Sequence, residues 1–119
     1  MKTSRLTETS PAAADKRGAP RRRVVSFGLV VPDADHPGLD CTIRDVSIVG
    51  ARIGFARNVR LPESFWLIDV RSRHVHHCTL AWRNDLEAGL RFHDSFTLAQ
   101  ITEPRLLFLK VLWLQHATR

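Results

Sequence analysis

Apolar positions in this chain follow a two-residue period through most of its length, and no helical period emerges before residue 102. "VVSFGLVV" (24–31) is β-branched and aromatic, and "PDADHPG" (32–38) is dense in turn formers, so a strand and a loop are expected there. "DCTIRDVSIVGARIGF" (40–55) supplies two more strands and "PESFWLIDV" (62–70) another. "VHHCTLAWR" and "AGLRFHD" flank "NDLE" (84–87) as a hairpin. Six or so short strands at close spacing predict a mainly β fold, an antiparallel barrel or sandwich. A barrel has the advantage of removing the exposed edges of so small a sheet.

The C-terminus changes period. Thr102 is a plausible N-cap, and Glu103 and Pro104 stand in the first turn, where an acid and a proline are both favourable. A C-terminal α-helix is therefore expected over about residues 103–117. Leu106, Leu107, Phe108, Leu109, Val111, Leu112, Trp113 and Leu114 cover almost every direction around its axis. One face can close the barrel while another remains apolar, available to a protein partner or to a homodimer formed through this helix.

One strand breaks its own pattern. In "CTIRDVSIVGARI" (41–53) the apolar residues fall first at Cys41 and Ile43, then at Val46 and Ile48. Because side chains alternate faces, this change of parity at Arg44 and Asp45 requires a bulge if both pairs face the core. Asp45 lies at the irregularity, Ser47 shares its side of the chain, and Gly50 marks a tight turn or a close approach to the backbone. Two readings of these three residues stay open: a turn in which Asp45 and Ser47 satisfy local donors, or one wall of a ligand site.

Composition alters the picture chiefly through charge. The 119 residues carry a net +6 and are 44% hydrophobic, as in a soluble globular protein of one domain. Seven cations against two acids place +5 of that charge in residues 1–23. Residues 1–15 have no hydrophobic period and are expected to form a disordered leader; a basic arm (16–23) then opens a domain that runs to residue 119. Charge concentrated in an arm suits a compact anion better than a long nucleic acid, which is met by a face or groove.

Other classes find less support. Only Cys41 and Cys78 occur, no apolar stretch at the N-terminus serves as a signal peptide, and "LLFLKVLWL" (106–114) is too short to span a bilayer. A cytoplasmic protein with reduced thiols is expected. There is no nucleophile elbow, Walker loop or HExxH helix, and no cofactor motif, so the chain is not read as an enzyme. His74, His76 and Cys78 would share one strand face, but Leu80 and Trp82 continue that face as core, and a fourth metal ligand is lacking.

The arm and the interrupted strand complement each other. Arginine pairs bidentately with phosphate or with the edge of guanine and stacks on bases, while an aspartate accepts from guanine's N1 and N2 donors. The pieces describe a pocket for a phosphate-bearing guanine nucleotide. Arg17 and Arg21, spaced RxxxR ahead of the first strand, and "DVSIVG" (45–50), matching [DN]xSxxG, together resemble the PilZ domain. The resemblance implies a six-stranded antiparallel β-barrel with a C-terminal helix and a cyclic di-GMP ligand. It also implies that Arg17 and Arg21 meet the ligand's guanines and phosphates, with Asp45 and Ser47 lining the barrel side and Gly50 shaping the bend. Arg22 is expected to assist, and Arg52 either faces the ligand or is a solvated strand residue. The signal would pass to a downstream protein partner. The competing reading is a basic barrel on RNA or single-stranded DNA; such proteins stack bases on exposed aromatics, but this chain has no Tyr and most of its Phe and Trp fall in core-like patterns. A ligand-free interaction module is the third.

Overall fold

The computed structural model describes residues 22–118. Six strands follow one another, β1 (Arg22–Val31), β2 (Leu39–Val46), β3 (Gly50–Gly54), β4 (Ser64–Asp69), β5 (His74–Arg83) and β6 (Glu87–Thr97). Two 3₁₀ turns, Leu98–Gln100 and Pro104–Leu106, lead into helix α1 (Leu107–Ala117). Every pairing is antiparallel, and the order β1-β2-β3-β6-β5-β4 closes on itself through β1 and β4. The expected six-stranded barrel with one C-terminal helix is what the chain forms. Closure leaves no unpaired edge. The leader and the arm as far as Arg21 lie outside the described residues.

Alternation along the strands divides the apolar residues into two cores. Ile43, Ile53, Phe65, Leu67, Cys78 and Leu90 point inward and fill the barrel. Leu29, Val31, Ile68 and Val75 point outward from the β1–β4–β5 wall and would be exposed if nothing covered them. Leu106, Leu109 and Leu112 cover them, so the helix does not close the barrel's end but packs flat on its outside. Its backbone also differs slightly from expectation: Pro104 begins a 3₁₀ turn, and the α-helix proper starts at Leu107.

Trp113 anchors this outer layer. Its indole donates from Nε1 to the carbonyl of Val70 at 2.8 Å, and the guanidinium of Arg73 stands 5.0 Å over the ring. Trp113→Phe keeps most of the apolar area and deletes the donor, leaving the Val70 carbonyl short of a partner. A loss of about 1 kcal/mol in urea denaturation is expected. On the opposite side of the helix Leu107, Val111 and Leu114, at helical spacing, remain exposed. Among the described residues no helix is long and apolar enough to cross a membrane.

Candidate functional site

The interrupted strand is built as its parity requires. Ile43 pairs with Ile53 and Asp45 with Arg52, so two steps along β2 match one along β3 and Arg44 is the bulged residue. Ile43 therefore points into the barrel, Asp45 points out, and Val46 points in again against Ala51. The outward Asp45 is nevertheless buried, with the Arg52 guanidinium against its carboxylate.

Arg52 joins two carboxylates. Its Nε donates to Asp45 Oδ2 at 2.8 Å and its Nη1 to Glu87 Oε2 at 2.6 Å, while Arg44 approaches the same Glu87 oxygen at 3.6 Å. The hydrogen bond to Asp45 raises the Arg52 pKa further above its ordinary value, so this residue is a permanent cation. Its Nη2 has no hydrogen-bond partner among the described residues. Arg52 points outward from the barrel and is held by these two ion pairs. Glu87 was not singled out in the sequence; it reaches Arg52 only because β3 lies beside β6, with Gly54 opposite Glu87.

The same row continues around the barrel. Arg52 pairs with Gly89 on β6, and Gly89 with Trp82 on β5, which puts Asp45, Arg52, Gly89 and Trp82 side by side on the outer wall. Gly89 contributes no side chain, and the Trp82 indole lies over it so closely that any Cβ there would overlap the ring. Trp82 was expected in the core. A register irregularity between Leu80 and Trp82 turns it outward, and it is 44% exposed. With strands roughly 4.8 Å apart, the wall from Asp45 to Trp82 is about 14 Å wide, which accommodates a dinucleotide-sized ligand. Arg83, its neighbour, is engaged elsewhere: Nη2 donates to the Val59 carbonyl at 2.8 Å, tying down the loop between β3 and β4.

Ser47 and Gly50 belong to the turn between β2 and β3. The Ser47 amide donates to the Gly50 carbonyl at 2.8 Å, and the Ser47 hydroxyl accepts from the Val49 amide at 3.2 Å. This is the local satisfaction expected of a turn serine. A Cβ on Gly50 would overlap the carbonyl oxygen of Leu90, so the close approach made at this glycine is that of β6. Ile48 and Val49 project from the tip and are exposed.

The arm joins the barrel beside these residues. Arg22 is opposite Val46 and Arg23 opposite Asp45 in the β1–β2 register, so the first residues of β1 run alongside Asp45. Arg17 and Arg21 lie outside the described residues. Asp45, Ser47, Gly50 and Arg52 are thus brought to one end of the β2–β3 hairpin, with the backbone of Arg22 alongside. The wall itself presents Arg44, Arg52 and exposed Arg91 against Asp45 and Glu87.

The thiols and the histidine strand offer neither a nucleophile nor a metal centre among the described residues. Cys41 and Cys78 are free thiols buried in the inner core, and burial pushes the pKa of Cys78 up to about 12 and that of Cys41 upward as well, which makes both poor nucleophiles. Among the described residues no group of three His, Cys, Asp or Glu side chains could hold a metal ion. The chain matches no protein-family model and no curated protein.

Proposed function

We propose that the protein is a PilZ-type receptor for cyclic di-GMP, and that the outer wall from Asp45 to Trp82 is its binding surface. The observation that carries this reading is the register: the arm enters at Asp45, and Asp45, Arg52 and exposed Trp82 stand in one row across adjacent strands. A carboxylate that accepts from guanine N1 and N2, an arginine for phosphate and an indole for base stacking are the three chemistries a guanine dinucleotide needs. Binding closes residues 16–23 over the wall, with Arg17 and Arg21 on guanine edges and phosphates and Arg22 assisting. Ser47 and Gly50 act by holding the turn that presents Asp45. The cationic arm steers a dianion toward the wall. No bond is made or broken, and the closed arm forms a new surface for a downstream partner.

Calorimetric titration of the full chain with cyclic di-GMP tests the reading. Micromolar binding is expected, and Arg21→Ala and Asp45→Ala should each weaken it more than about tenfold, the equivalent of one lost charge-assisted hydrogen bond. Absence of binding, or binding that survives both substitutions, overturns it. Oligonucleotide binding with a steep salt slope would assign the arm to nucleic acid instead. A second reading, a ligand-free interaction module, is favoured by the Asp45–Arg52–Glu87 pairing, in which the carboxylates already have a cation between them. On that reading the exposed Leu107, Val111 and Leu114 carry the function and titration with the nucleotide gives no heat.

A further inference from the structure

Among the described residues, the barrel interior is open at the end where β1 begins. There a cavity of about 880 Å³ opens to solvent, within the size range of small-molecule sites. One side of it is a ladder of parallel rings. His76 stacks on Phe92 with centroids 3.9 Å apart and planes 6° from parallel, and His74, at the rim, lies 6.3 Å beyond it at 11°. The facing side is apolar, formed by Val25, Val46 and Ile48.

Polar groups converge on the space between. His76 Nδ1 and the Ser95 hydroxyl are 2.7 Å apart, which fixes the imidazole plane. The Ser26 hydroxyl is buried and has no hydrogen-bond partner among the described residues, an arrangement that costs stability unless something meets it. Asp69 and Arg71 stand at the rim with opposite charges. Burial, reinforced by nearby His74, lowers the His76 pKa to about 4, so its ring is neutral at physiological pH. The mouth therefore offers flat aromatic surface, hydroxyls and one carboxylate, and its formal charges offset.

We propose that the barrel mouth binds a planar, uncharged nitrogen heterocycle of nucleobase or nucleoside size. Its ring stacks on the His74–His76–Phe92 ladder, and its edge hydrogen-bonds with the Ser26 hydroxyl and with Asp69. An anionic ligand would meet the Asp69 carboxylate, and an aliphatic one would leave the Ser26 hydroxyl unsatisfied. The cavity adjoins the proposed wall at the turn, where Ser47 lines its rim, but its rings and the Ser26 hydroxyl lie inside the barrel's end, whereas Asp45, Arg52 and Trp82 lie on the outer wall.

Full-length protein labelled at histidine and tryptophan, titrated with adenosine or guanosine and followed by NMR, tests the assignment. Saturable upfield shifts of the His74 and His76 ring protons are expected from the ring current of a stacked base, with no shift from ribose. His74→Ala removes an exposed ring that the fold does not need, and should weaken nucleoside binding about tenfold, the effect of deleting one stacking surface. The proposal fails if neither histidine moves up to the solubility limit, if ribose shifts them equally, or if perturbation is confined to the Trp82 indole. That last outcome would place the base on the outer wall. Loss of cyclic di-GMP binding in Asp45→Ala has no bearing on these shifts, so the two readings stand or fall separately.

Discussion

Gly50→Ala is expected to destabilise the protein by about 3 kcal/mol, the upper end of the usual cost of overpacking. The added methyl would overlap the Leu90 carbonyl, and the next nearest atoms are the Leu90 carbonyl carbon and the Arg91 Cα, all of them backbone. No rotamer change relieves such a clash; β3 and β6 must separate, and the Ala51–Leu90 and Arg52–Gly89 pairs next to it loosen with them. Gly54→Ala at the other end of the same strand is the control. There the methyl would meet the Arg44 side chain, with Nε at 2.7 Å, and that half-exposed side chain can swing away, so a change under about 1 kcal/mol is expected. Urea denaturation of both variants checks the contrast. If Gly50→Ala retains full stability but loses cyclic di-GMP binding, the glycine serves the ligand and not the strand pairing.

That comparison shows which part of the site was legible in the sequence. The bulge at Arg44 could be read because Cys41 and Ile43 before it and Val46 after it lie on one strand and all reach the same core, although Ile48, expected to follow Val46 inward, lies beyond the strand and is exposed. Parity is a local property. The turn at Ser47 was legible for the same reason, since its partners are within three residues. Trp82 was misplaced because the irregularity that turns it outward is set by the partner strand, where Leu80 pairs with Leu90 and Trp82 with Gly89. An unbroken alternation from Cys78 gives no sign of it. Glu87 escaped notice for a stronger version of the same reason: its meeting with Arg52 depends on β3 and β6 being neighbours, which follows from barrel closure and not from any spacing along the chain.

The helix follows the same division. Its existence follows from its apolar composition and a proline at the start. Its place on the outside of the wall does not, because the apolar residues run all round its axis and select no face. What decides the matter is the outward row of Leu29, Val31, Ile68 and Val75, an apolar surface spread over three strands that needs a cover. The inner barrel consequently keeps one end open. In the sequence His74 and His76 suggested, with Cys78, only a weak metal motif, since their stacking partner Phe92 comes from a different strand.

Lowering the pH from 7 to 4 is expected to cost the fold about 3 kcal/mol through His76 alone. The sign follows from where the proton prefers to be. Unfolded, the imidazole titrates near its ordinary value of 6.5; folded, burial holds it down to about 4, with His74 adding to the depression and Asp69 opposing it. Above pH 6.5 neither state binds the proton and the residue contributes no pH dependence. Between 6.5 and 4 the unfolded chain binds it and the folded chain does not, so stability falls; below 4 both are protonated and the loss levels off. His76→Met fills the site with an uncharged side chain of similar size, and its stability should change less over this interval than the wild type's by about 3 kcal/mol. Denaturant unfolding at pH 7 and pH 4 measures the difference, and carboxylates that titrate in the same range cancel between the two proteins. Equal pH dependence would mean that water already reaches the His76 ring in the folded state. A ring wetted in that way would also lose its value as a stacking surface, because the burial that keeps His76 neutral is the burial that presses it flat against Phe92.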